Sequence, residues 1–284
     1  MRIKNNIAGI NTSRNQGIVH HKMGKSLEKL SSGYRIVRAG DDAAGLAISE
    51  GMRAQIAGLN QSIRNVDDGV GMVNTGEGAL QEVHSMLHRL ETLAIESANG
   101  TYNDEARATV EEEKDAILEE IDRICKNTNF NEIPLFETEI PQGVIIEPPQ
   151  PSDEVRFQIG PSENETMDVT RYYMGTKALK LDQMKFGTSK DANEAIDTLA
   201  QAVQAVTVVR STFGAAQNHL DCTHNNLSIT AENMQAAESR IRDADIEKEF
   251  TEFTSQNIIS QATISMQSQA NAIPQSVLSL LADL

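Results

Sequence analysis

Residues 199–241 read LAQAVQAVTVVRSTFGAAQNHLDCTHNNLSITAENMQAAESRI, and within them Leu199, Val206, Phe213, Leu220, Leu227, Met234 and Ile241 recur at an unbroken seven-residue interval. Six consecutive heptads on one apolar line mark a coiled coil rather than ordinary globular amphipathicity. A strict seven-residue repeat drifts around a straight α-helix, so it is kept only where the helix winds about a partner. A second line, Val203, Val209, Ala216, Thr230 and Ala237, is weaker. Its small residues imply close packing against more than one neighbour. The partner has to come from elsewhere in the chain.

It is found upstream. Met52, Leu59, Val66, Val73, Leu80, Leu87 and Ala94 form a matching line in a helix expected over 43–99. Companion residues Ile56, Ile63 and Val70 give way after Leu80 to Val83 and Leu90, so the stripe changes side as if the helix passes between neighbours. Gly69, Gly71, Gly76 and Gly78 each cost up to about 1 kcal/mol in an exposed helix, for which close interhelical contact is the expected compensation. Asp41 or Asp42 is placed to cap this helix. Gly100, in the turn 98–101, suits a left-handed position. A third helix is expected over 104–126, with Val110, Ile117, Ile121 and Ile124 on one face. Its acidic run, Glu111, Glu112, Glu113, Asp115, Glu119, Glu120 and Asp122, reads as a solvated face.

The stretch 130–190 has a different character. Six of the seven prolines lie between Pro134 and Pro161, and Val155 to Ile159 alternate apolar and polar residues before a turn at 160–165. A β-hairpin with surface loops follows, with Thr166 to Val169 as the returning strand.

Composition agrees with a helical protein. Among 284 residues aromatics are 4% with no Trp, so the core is filled by Leu, Ile, Val, Met and Ala. A net charge of −16 disfavours nonspecific nucleic-acid binding by the molecule as a whole. Cys125 and Cys222 make no disulfide framework, and free thiols are expected. The start of the chain is polar and lacks the pattern of a cleaved signal peptide, and no apolar run of about 18 residues predicts membrane insertion.

The two ends carry the strongest functional signal. The first forty residues hold eight Lys or Arg against one acid, Glu28, and place Ile3, Ile7, Ile10, Leu27 and Leu30 at helical spacing. From Arg242 onward six acids face two bases, yet Ser255 to Ala282 contain no charged side chain at all. Amides and serines there rule out a bilayer span, while Ile258, Ile264, Ala270, Val277, Leu280 and Leu281 supply an apolar face. Both arms are amphipathic, of opposite charge and without a partner in the body of the chain. They are expected to come together, to be largely disordered alone, and to fold on self-association.

These residues resemble a known family. Asn5-Asn6-Ile7 with Asn11-Thr12, then Leu27-Glu28-Lys29-Leu30-Ser31-Ser32-Gly33-Tyr34-Arg35-Ile36 and Asp41-Asp42-Ala43-Ala44-Gly45-Leu46-Ala47-Ile48-Ser49, are similar to the N-terminal signature of bacterial flagellins. Ser239-Arg240-Ile241-Arg242-Asp243-Ala244-Asp245, Gln261-Ala262, Gln269-Ala270-Asn271 and Pro274-Gln275-Ser276-Val277-Leu278-Ser279-Leu280-Leu281 resemble the C-terminal one. The likeness covers about 130 residues at the start and about 90 at the end. Gly40, Asp283 and the two cysteines depart from the commonest pattern.

The resemblance implies a mainly α, hairpin-shaped chain with long coiled-coil helices, paired terminal helices and a small β-hairpin region. Its parts would be an N-terminal arm of an inner domain (1–43), the N-terminal helices of a coiled-coil domain (44–130), a β-hairpin with short variable loops (131–190), the C-terminal helix of the coiled-coil domain (191–241) and a C-terminal arm (242–284). It implies a homopolymeric filament subunit, exported unfolded without a cleaved signal and polymerised through its terminal arms, with an export chaperone and a filament cap as partners. It also implies recognition by the innate immune flagellin receptor: residues 87–94 resemble the contacting stretch, with Arg89 and Leu93 matching, and Glu120 matches an acidic contact on the next helix. His88 and Glu91 replace an amide and a base there, which weakens that contact.

No catalytic residue, cofactor or metal is expected. His84 and His88 sit four apart on a helix and could hold a metal, but no Glu follows His84 as a zinc-protease motif needs, so a surface pair is the simpler reading. A hook–filament junction protein of the same family is the nearer alternative, and the run 274–281 fits a filament subunit better.

Overall fold

The computed structural model describes residues 5–138 and 149–282, with the side chains of 277–282 left aside. Among these residues are five α-helices, α1 (Ile7–Ser32), α2 (Ala43–Ala98), α3 (Asp104–Asn127), α4 (Ser189–Arg242) and α5 (Ile246–Ala282), with five strands between α3 and α4. The fold is mainly α, with long helices and a small β-region. It divides into two compact units, one of residues 1–56 with 232–284 and one of residues 57–231.

In the second unit α2 and α4 run antiparallel. Asp67 faces His224 at 3.5 Å, Glu77 faces Arg210 at 2.6 Å, and between them Gly69 lies against Leu220 and Gly76 against Phe213. The two residue numbers of each pair add to nearly the same total, as two straight helices in opposed register require. Leu59, Val66, Val73, Leu80, Leu87 and Ala94 are buried on one side, and Leu199, Val206, Phe213, Leu220 and Leu227 on the other. Gly69 and Gly76 therefore receive side chains of α4, and Gly71 receives the ring of Phe130, whereas Gly78 faces open space.

Asn103 caps α3 by accepting the Ala106 amide at 2.8 Å, and Arg89 on α2 bonds Glu113 on α3 at 2.8 Å. The left-handed glycine is Gly33, at the end of α1 with φ 75°. The turn after α2 closes without one: Gly100 has no positive φ, and Arg107 holds that turn through the carbonyls of Ser97 and Asn99.

The strands β4 (Gln150–Gln158) and β5 (Thr166–Tyr173) form the antiparallel hairpin, longer than the alternation predicts, and β3 (Phe136–Glu137) joins β5 in parallel, giving the order β3-β5-β4. Its turn takes a left-handed Asn164, φ 71°. The hairpin lies along α2, with Pro161 against Gly58, and with Asn65 Nδ2 donating to the Gln158 carbonyl at 3.0 Å. A second, tight hairpin joins β1 (Asn129–Phe130) to β2 (Ile133–Pro134) through Asn131 and Glu132, both with positive φ. That is the geometry of a twist-compatible two-residue turn.

Residues 174–188 form an irregular strap running antiparallel along α3. Cys125 Sγ donates to the Met174 carbonyl, Asp122 accepts the Thr176 amide (2.8 Å) and hydroxyl (2.7 Å), Lys114 Nζ donates to the Met184 carbonyl (3.0 Å), and Glu111 accepts the Phe186 amide. Two members of the acidic run are thus turned to structural use rather than to solvent. A strap without ladder partners has to satisfy its backbone through side chains. Cys125 is buried, and burial pushes its thiol up to about 12, while Cys222 is exposed; both are free.

Candidate assembly interface

In the first unit α1 and α5 pair antiparallel. Both arms are helical and lie against each other, as their complementary character led us to expect. The pairing buries little: Val19 and Ser26 on α1, Ser260 and Ala270 on α5. Small residues at the seam let the helices approach closely, but they remove little apolar area from water.

The charges of the arms contribute one ion pair between α1 and α5 among the described residues, Lys29 with Glu249 at 3.5 Å. Lys25 turns instead to Asp41, and Glu28 to Arg38.

The junction near the free ends is held by Asn6. Its side-chain oxygen caps α1 by accepting the Gly9 amide at 3.0 Å, and its Nδ2 donates to the Ala270 carbonyl at 2.9 Å. Pro274 lies inside α5, four residues beyond Ala270. Proline has no amide hydrogen, so the Ala270 carbonyl loses its helical donor, and Asn6 replaces it. Both residues fall in stretches that carry the sequence resemblance, but the sequence does not show that they act on the same carbonyl. The available signals are an Asn directly before an apolar helical rhythm, and a single proline far outside the proline-rich window.

At the other end of the pair, the segment after α1 is fastened to the end of α4. Arg35 donates its backbone amide to the Arg242 carbonyl at 2.7 Å, and Tyr34 bridges to Asp243. The Arg242 guanidinium stands 4.8 Å from the Tyr34 ring centroid and bonds Glu50 at 2.6 Å, which holds that carboxyl below its usual range. Asp42 caps α2 by accepting the Gly45 amide at 2.9 Å. Asp41 accepts the Arg38 amide within the loop.

What the pair leaves outside defines its chemistry. Ile7, Ile10 and Leu27 on α1 and Ile258 and Ile264 on α5 are each more than half exposed, as are Phe250, Met266 and Ile273, while Leu30 is half-buried. Ile3 lies outside the described residues, as do the side chains of Val277, Leu280 and Leu281. Among the described residues these large apolar side chains lie outside the seam of the pair, the kind of exposed surface that marks association sites.

The remaining sequence candidates fall elsewhere. Met234 and Ile241, the last two heptad positions, are half-buried. Arg89 is exposed and bonded to Glu113, Glu120 is bonded to Arg123, and Leu93 is only 1% exposed, in the core. The Arg123 guanidinium keeps the Glu120 carboxyl below its usual range. His84 and His88 meet on α2; burial, and then the charges of His88 and Arg210, lower the His84 pKa. Among the described residues no group of three or more His, Cys, Asp or Glu is arranged to hold a metal, and no helix is long and apolar enough to cross a membrane.

A mainly α chain with a packed body and terminal helices that keep large apolar side chains outside their seam fits a self-associating structural protein. Known proteins bear this out. The family of the bacterial flagellin N-terminal helical region matches residues 3–139, and that of the C-terminal helical region matches residues 196–281. The flagellin of Halalkalibacterium halodurans is 44% identical over 283 residues, covering 99% of this chain and 100% of its own. That of Bacillus subtilis is 40% identical with the same coverage. The crystal structure of Bacillus cereus flagellin superposes with a TM-score of 0.50 at 30% identity, over 62% of this chain and 94% of that one. The chain belongs to the bacterial flagellin family. It is a structural subunit of the flagellar filament, polymerising with other flagellin subunits, and not an enzyme.

Proposed function

We propose that the α1–α5 pair is the polymerising part of the subunit, and that Ile7, Ile10, Leu27, Ile258 and Ile264 are covered by neighbouring subunits in the filament, with Ile3, Leu30, Val277, Leu280 and Leu281 completing the same arms. The observation that carries this is the apolar outer surface of a two-helix pair that buries mainly Val, Ser and Ala at its own seam. The heptad line Leu199, Val206, Phe213, Leu220, Leu227, Met234 and Ile241 has the supporting role of a stiff body. Export in unfolded form, without a cleaved signal, belongs to the same reading. So do an export chaperone that shields the arms and a cap that retains subunits at the growing tip. An uncharged lining such as 255–282 suits a channel through which other chains slide without adhering.

The test is elongation of short filament seeds, followed by electron microscopy. The full chain extends seeds. The chain lacking residues 255–284 stays soluble, keeps the helical signal of its body and leaves seeds at their starting length. Elongation by the truncated chain would contradict the assignment.

For the innate immune flagellin receptor, Arg89 and Glu120 are the contacts; Leu93, expected beside them, is 1% exposed and belongs to the core instead. In a receptor reporter assay Arg89→Ala lowers activation several-fold, on the scale of about 1–2 kcal/mol for an exposed interfacial arginine. An unchanged dose response would remove this role.

A further inference from the structure

His84 and His88 bring their Nε2 atoms to 3.1 Å, with ring centroids 4.5 Å apart and ring planes at 90°. His88 Nδ1 lies 3.2 Å from Glu91 Oε2, and His84 Nδ1 is buried with no hydrogen-bond partner. A carboxylate at Nδ1 favours the His88 proton on that nitrogen, so that the Nε2 lone pair accepts from His84 Nε2 in the metal-free protein and becomes a ligand once His84 changes tautomer. The His88 ring is therefore oriented by an outer carboxylate in the manner of metal-bound histidines. Residues four apart share one face of a helix. Of the six histidines, this is the pair with that spacing: His20 and His21 are adjacent, and His219 and His224 are five apart.

We propose that His84 and His88 form a two-imidazole binding site for a divalent transition-metal ion of the imidazole-preferring group, Zn(II), Ni(II) or Cu(II), with water completing the coordination shell. With nitrogen–metal distances of about 2.05 Å, a 3.1 Å nitrogen separation subtends about 98° at the metal. That lies between adjacent positions of an octahedral or square ion and the tetrahedral angle of zinc. The terminal torsion of histidine is soft, so a small ring rotation aims both lone pairs at the common point. His84 binds as its Nδ1–H tautomer, reached by proton exchange with water with no net change of charge on the ring; this puts the proton on a buried nitrogen without an acceptor, which keeps the affinity modest.

The side chain of His88 is 54% exposed, which lets a hydrated ion reach the site. Arg210 on α4, whose charge reaches His84, is offset by its double hydrogen bond to Glu77 (3.0 and 2.6 Å). Among the described residues no third protein ligand is in place, so the site is a reversible surface site rather than a structural one. The bound ion would tie one turn of α2 to the next.

The test is isothermal titration of the full-length depolymerised subunit with Ni(II), then Zn(II), near neutral pH. One saturable site is expected. His88→Ala weakens it about tenfold or more, by removal of one of two ligands, while His20→Ala with His21→Ala leaves it unchanged. His88 is exposed, and an unaltered thermal melt shows that its variant is folded. Paramagnetic Ni(II) broadens the ring resonances of His84 and His88 before those of the other histidines. Absence of saturable binding, or binding that survives His88→Ala, would overturn the proposal.

Discussion

A methyl group on Gly76 would stand 2.5 Å from one carbon of the Phe213 ring and 3.2 Å from another, whereas on Gly78 it would meet nothing within 4 Å. Two glycines two positions apart, on either side of Glu77, thus have opposite meanings. Gly76→Ala forces the ring of a buried heptad residue aside and costs about 1–3 kcal/mol. Gly78→Ala relieves backbone entropy at an open site and gains about 0.5–1 kcal/mol. Urea unfolding of the depolymerised subunit measures both, and equal effects at the two positions would show that the α2–α4 contact is misplaced. The glycine cluster is visible in the sequence, but which member receives an aromatic ring depends on helix register. Register is set by residues such as Phe213 about 140 positions away. The same distance hides Asn6: its cap is local, while its bond to Ala270 exists only because Pro274 withholds an amide from that carbonyl.

Among the elements, the long helices are legible because their burial repeats. Leu199 to Leu227 sink into the core at each heptad, and Leu59 to Ala94 answer them. The strap 174–188 has no such rhythm. It is held by side chains of α3 whose letters look like a charged surface: Asp122 and Glu111, which accept strap amides, are written no differently from Glu112 and Glu119, which are exposed. Only the fold separates them. Asp122→Ala leaves the Thr176 amide and hydroxyl without their acceptor and costs about 1–3 kcal/mol, whereas Glu112→Ala stays within about 0.5 kcal/mol. The hairpin was legible by alternation over 155–159, yet β4 extends back to Gln150 through Ser152, Asp153 and Glu154 and an irregular register between Pro151 and Glu154 that alternation does not mark.

For the molecule as a whole, packing divides the labour. The unit of residues 57–231 has an internal core of Leu, Val, Ile, Met and Phe that needs no further partner. The pair α1–α5 is held by a seam of small residues, one ion pair and the Asn6 bridge, and keeps its large apolar side chains outside. The sequence indicates this contrast through the charge-free run from Ser255 and the opposite charges of the ends. Charge was the weaker guide to what joins the arms, since Lys25 and Glu28 are satisfied locally, by Asp41 and Arg38. A pair held so lightly opens readily, and opening exposes its amides to exchange.

Amide hydrogen exchange of the depolymerised subunit and of the assembled filament, followed by peptide, therefore addresses the central claim directly. The amides of 7–32 and 246–282 are expected to exchange quickly in the subunit and to become strongly protected on assembly, while those of 59–94 and 199–227 are already protected and change little. Arms as protected in the subunit as in the filament, or new protection confined to the body, would contradict the account.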